Sequence, residues 1–128
     1  MHEDQLSPTL GRLIDAAKAA LPGAATSDEP AEAIALLAES GAISTGRSAG
    51  NSSTGGCRAA YIALGAHLAA GGGQIDAAAL AAHPSRESVF PCEACLGALT
   101  ELDPDLPLVV KQLGRWVLLP VSTFSGGR

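Results

Sequence analysis

Two kinds of apolar segment alternate along this chain, and glycine or proline cuts each one short. Leu6, Leu10, Leu13, Ala17 and Leu21 recur at helical spacing up to Pro22-Gly23, which predicts an amphipathic helix. Residues 33–38 (AIALLA) form a short run closed by Glu39-Ser40-Gly41, and Ala42-Ile43-Ser44-Thr45 follows. Two such runs around a Ser-Gly turn predict a β-hairpin. Residues 46–56 are polar, glycine-rich and aperiodic, a long loop of the kind that usually serves a function in a small domain. Residues 57–70 are apolar nearly all round, interrupted by Arg58, Tyr61 and His67, and Gly71-Gly72-Gly73 ends them. A helix of that kind is buried in the core or in an oligomer. Residues 74–82 (QIDAAALAA) carry the alanines of a helix. The run is short, however, and lies between a glycine stop and His83-Pro84-Ser85, which favours a buried strand. Val89-Phe90 adds two extended residues before Pro91. Pro91 and Asp103-Pro104 bracket a helix over residues 92–102. Residues 106–111 (LPLVVK) read as a strand, and residues 116–119 as an extended apolar segment before Pro120. The order α-β-β-α-β-α-β defines a layered α/β class. Residues 1–128 are expected to form a single domain, with 1–5 and 125–128 flexible.

The core of such a domain must be aliphatic, because only 3% of the residues are aromatic while 47% are hydrophobic. Small side chains let backbones approach closely but bury little apolar area each, so a lone monomer would be thinly stabilised. Exposing the apolar helix over 57–70 would also leave a sticky patch, so a homo-oligomer is expected. Eight basic against thirteen acidic residues give a net charge of −5, which argues against a nucleic-acid polymer as partner. No apolar stretch reaches about 18 residues, and the first ten residues lack a basic start and an apolar centre. The expectation is a cytoplasmic protein with no membrane partner. Three cysteines without an export signal point to thiolates rather than disulfides.

Those cysteines are the sharpest chemical signal. Cys57 starts one predicted helix, and Pro91-Cys92-Glu93-Ala94-Cys95 starts the next. A helix N-terminus carries partial positive charge and unpaired N–H groups, a setting that favours thiolate over thiol. Two cysteines three apart on a first turn face the same side and can chelate one metal ion. A third thiolate from another helix start completes three protein ligands on a tetrahedral Zn²⁺, with the fourth position open to water. Zinc brings the pKa of such a water near 7. Cys92 and Cys95 could instead form a redox pair, or all three could be small buried hydrophobes.

The full set of motifs resembles the cytidine deaminase superfamily, and within it the small cytidine deaminases and blasticidin S deaminase. Thr45-Gly46 closes the hairpin, Gly55-Gly56-Cys57 begins a helix, and Pro91-Cys92-Glu93-Ala94-Cys95 begins the next. Asp103-Pro104-Asp105-Leu106 before Val109-Val110, and Leu118-Leu119-Pro120 before Phe124, continue the match, which runs over residues 33–124. The resemblance implies a three-layer α/β/α fold with a mixed central sheet and zinc on Cys57, Cys92 and Cys95. It also implies hydrolytic deamination of a nucleoside or related aminopyrimidine, and a homo-oligomer, with a tetramer favoured. Ser48 and Asn51 are the implied substrate-binding positions.

This sequence departs from the family pattern where chemistry is expected. Family members carry a glutamate two residues after the first zinc ligand, and here Cys57-Arg58-Ala59 places a methyl group there. General acid–base help is worth about 10²–10⁴-fold, so deamination of cytidine or blasticidin S is expected to be absent or at least about 10²-fold slower. Ser48-Ala49-Gly50 stands where the family has Asn-x-Glu, and Leu96-Gly97 where it has Arg-Gln. Glu93 is the nearest carboxylate in sequence, but a solvent-facing role at the helix start is the preferred reading. His67 lies roughly 15 Å along a straight helix from Cys57, too far to share its metal. Trp116 and Tyr61 read as packing residues, and His2 and His83 as surface residues. Three readings follow: a deaminase whose acid–base group is re-sited, a non-catalytic relative kept for binding or assembly, and a thiol redox protein using Cys92 and Cys95.

Overall fold

A hairpin starts the sheet, because residues 39–42 turn the apolar run back on itself. β1 (Glu32–Ala38) and β2 (Ile43–Ser48) pair antiparallel from Leu37↔Ile43 to Glu32↔Ser48. The computed structural model describes residues 8–20, 32–48, 59–82, 88–89 and 93–125. β1 also pairs antiparallel with β3 (Ile75–Ala82), from Leu37↔Ala77 to Glu32↔Ala82. β3 runs parallel to β4 (Pro107–Gln112), which pairs antiparallel with β5 (Arg115–Pro120). The mixed sheet has the order β2-β1-β3-β4-β5.

Side chains alternate across the strands, so each strand feeds two cores. On one face Ile34, Leu36, Leu80, Leu108 and Val110 pack with Ala60 and Ala63 of α2 (Ala59–Ala69) and with Cys95 and Leu99 of α3 (Glu93–Leu102). On the other face Ala35, Leu37, Val109, Trp116 and three alanines of β3 meet Leu13, Ile14 and Ala17 of α1 (Pro8–Ala20). This is the three-layer α/β/α arrangement with a mixed sheet that the sequence led us to expect. β3 is built of alanines because both of its faces are covered, and a strand covered on both sides reads as a continuous apolar run. Its Ala77, Ala79 and Ala81 carry only methyl groups beneath α1.

Three details differ from the sequence reading. β2 extends through Gly46, Arg47 and Ser48 into the expected loop, since pairing with β1 needs only backbone groups. A short helix α4 (Ser122–Ser125), for which the sequence reading had no element, follows β5, and Phe124 packs against the core. Within the single chain the apolar helix α2 is buried on one side only, so the core does not cover it all round. Ala60, Ala63 and His67 face inward, while Tyr61 (55% exposed), Ile62 and Leu68 (71% exposed) face out, so Tyr61 is not a core packing residue. Trp116, by contrast, is buried as expected, with the Lys18 ammonium 5.3 Å from its ring centre. Among the described residues, no helix is long and apolar enough to cross a membrane.

The β4–β5 turn is tight. Leu113 (φ 51°) and Gly114 (φ 80°) both adopt positive φ between the paired Gln112 and Arg115, as a two-residue type I′ connection requires. The Leu113 N–H donates to Ser88 Oγ at 2.9 Å, and the Val89 N–H donates to the Lys111 carbonyl at 2.8 Å. The segment ahead of α3 is thereby tied to the hairpin.

Candidate functional site

Chain direction decides which end of the sheet carries the chemistry. α2 ends in glycines at 71–73 immediately before β3, and α3 ends at Leu102 shortly before the parallel β4. Both helices therefore run back along one face and begin at the opposite end, where β3 finishes at Ala82. The pairings Glu32↔Ser48 and Glu32↔Ala82 place the start of β1 and the finish of β2 at this same end. Two helix N-termini, with their partial positive charge, thus meet the ends of three strands.

Of the proposed metal ligands, Cys95 lies in the first turn of α3, fully buried in the cluster that also holds Ala60 near the start of α2. Cys57 and Cys92 lie outside the described residues, one shortly before each helix. Asn51 is also outside them. Ser48 is not a loop residue but the final residue of β2. Ala59 and Glu93 open α2 and α3 respectively. Among the described residues, no group of three His, Cys, Asp or Glu side chains could hold a metal ion.

His67 is buried, and its Nε2 lies 2.9 Å from the Gly73 carbonyl, a contact that fastens the exit of α2. That places it at the far end of the helix from Ala59, in agreement with its exclusion as a ligand. A cleft of about 380 Å³, lined by Gly73, Gln74, Ile75, Leu102, Asp103 and Leu106, also lies at that far end. Asp103 is already committed there, its Oδ1 accepting from the Asp105 N–H at 2.9 Å.

One carboxylate at the site end escaped the sequence reading. Glu32 is only 7% exposed, and by strand alternation it shares the face of Ile34 and Leu36, beneath the α2–α3 layer. The run 33–38 is apolar throughout and carries no alternation in sequence, so the strand pairing is what reveals it.

The layers, strand order and helix starts define a class of protein, a three-layer α/β fold whose candidate site lies where two helices begin. Solved structures of cytidine deaminases share it. The chain is similar to cytidine deaminase from Burkholderia pseudomallei, with 28% identity, 93% of this chain and 96% of that one covered, and a TM-score of 0.71. For cytidine deaminase from Mycobacterium tuberculosis the values are 26%, 82%, 90% and 0.65. The fold is also that of cytidine deaminase from Mycobacterium leprae, at 24% identity, 88% and 94% coverage and a TM-score of 0.67. No protein-family model and no curated protein matches the sequence. The chain belongs by its fold to the cytidine deaminase-like superfamily.

Proposed function

We propose that this chain is a zinc-binding deaminase that hydrolyses the exocyclic C–N bond of a nucleoside or related aminopyrimidine. The observation that carries the reading is the seat of Cys95, buried in the first turn of α3 at the end of the sheet where α2 also begins. In sequence, Cys57 and Cys92 stand next to those same two helix starts. Three thiols are a soft donor set that suits zinc, and Cys95 lies in the first turn of a helix, whose partial positive charge favours thiolate. Cys57, Cys92 and Cys95 would hold the ion, which when bound supplies an acidified water as nucleophile. Ser48 and Asn51 would meet the small substrate, and a reduced, cytoplasmic setting would keep the thiols available.

The second reading is a binding or assembly protein on the same fold, favoured by the methyl group at Ala59. Elemental analysis tests the metal that both readings share, and an activity assay divides them. Elemental analysis of protein purified without chelator should give about one zinc per chain, and well under half would refute the metal. An ammonia-release screen over aminopyrimidines and aminopurines then separates the enzyme from the binding protein. Near-absence of zinc would also return the thiol redox reading for Cys92 and Cys95. We further propose a homo-oligomer, with a tetramer favoured, supported by the exposed apolar side of α2 at Tyr61, Ile62 and Leu68.

A further inference from the structure

We propose that Glu32 supplies the acid–base carboxylate that position 59 lacks, approaching the candidate site from the sheet instead of from α2. The proposal rests on the deaminase reading above and extends it to a named residue.

Among the described residues only Glu32, Ser44 and His67 are buried polar or charged side chains. Ser44 pairs with Leu36, four positions deeper in the hairpin, and carries no titratable group. His67 is held by Gly73 at the far end of α2. Among the described carboxylates and imidazoles, Glu32 alone combines burial with the site end of the sheet. A buried carboxylate needs a partner, and Glu32 has one; on a strand otherwise filled by aliphatic residues it places a titratable group at this end of the sheet. Alternation directs Glu32 to the face covered by α2 and α3, the layer that contains Cys95. The pairings to Ser48 and Ala82 fix its backbone on both sides, which holds the carboxylate more firmly than a loop would.

The chemistry balances with one carboxylate. It takes a proton from the attacking water as the C–O bond forms at the amine-bearing ring carbon, and passes that proton to the adjacent ring nitrogen. It then carries the second water proton to the amine as the C–N bond breaks. Ammonia leaves, the ring keeps a carbonyl, and the carboxylate ends as it began, with no oxidant or reductant involved.

The test compares the zinc-loaded wild type with Glu32→Gln in binding as well as rate. Two probes are titrated calorimetrically: uridine, which resembles the product, and a pyrimidine nucleoside bearing a hydroxyl on a tetrahedral C4, which resembles the transition state. The wild type should prefer the tetrahedral analogue by at least about 10²-fold. Glu32→Gln should lose that preference while keeping its zinc and binding uridine within about threefold, and turnover should fall about 10²–10⁴-fold. Should Glu32→Gln fail to melt cooperatively, Glu32→Met takes its place, since an apolar residue of similar length is tolerated where a charge was buried. Equal weakening of both probes, no change in either, or a wild type without preference for the analogue would overturn the role of Glu32. A wild type that holds no zinc or binds neither probe would instead overturn the deaminase reading, and this proposal with it.

Discussion

Replacing Leu113 by asparagine should stabilise the protein, and the magnitude follows from the turn geometry. Leu113 sits at φ 51°, in the left-handed region. An L-residue with a bulky side chain is disfavoured there by about 1–2 kcal/mol, whereas asparagine visits it readily through local hydrogen bonds. The leucine contributes little in return, being 83% exposed. Full burial of a leucine is worth about 1.5–3 kcal/mol, so the part lost here is roughly 0.3–0.5 kcal/mol. The bond from its N–H to Ser88 Oγ is a backbone bond and survives the exchange. The net gain is about 0.5–1 kcal/mol, and the Asn-Gly pair that results is the preferred type I′ sequence. For a chain of 128 residues that gain raises Tm by roughly 2–4 °C. Scanning calorimetry of both forms at equal zinc concentration measures it, with Gly114→Ala as the control that should lower Tm, because Gly114 sits at φ 80°. An unchanged or lowered Tm for Leu113→Asn would refute the argument.

Metal removal should act on folding as well as chemistry. Chelation, or Cys92→Ser, should lower unfolding stability by several kcal/mol in urea titrations, because ion binding and folding are coupled. His67→Ala should cost about 0.5–1.5 kcal/mol through loss of the bond to the Gly73 carbonyl, yet zinc content by elemental analysis should not change. Leu68→Lys, on the exposed side of α2, should shift the mass seen by light scattering towards the monomer while leaving the far-UV spectrum intact.

The layer order was legible because each apolar run keeps its own period and ends at a glycine or proline. The alanine-rich strand β3 was the hardest case, since propensity alone favours helix, and its shortness after three glycines decided it. The end of β2 was hidden because Gly46-Arg47-Ser48 is polar, and backbone pairing leaves no mark on side-chain pattern. The four-residue α4 is too short to show a period. At the site, the motif spacing located Cys95 at the start of its helix correctly. Glu32 stayed hidden for a different reason. A charge ahead of an apolar run reads as the end of a loop, and only the pairing to Ser48 and Ala82 reveals it as the first residue of a covered strand.

The two bonds that tie residues 88 and 89 to the β4–β5 hairpin make that hairpin a handle on α3. A peptide grafted between Leu113 and Gly114 would pull on the segment that leads to the helix bearing Cys95. The turn at residues 39–42 lies at the other end of the sheet, where its Glu39 N–H donates to the Gln74 carbonyl at 3.0 Å. A fluorophore or fusion partner attached at Ser40 would sit a full strand length from the candidate site. The molecule thus has one end suited to carrying labels, and another where a label would report on the site itself.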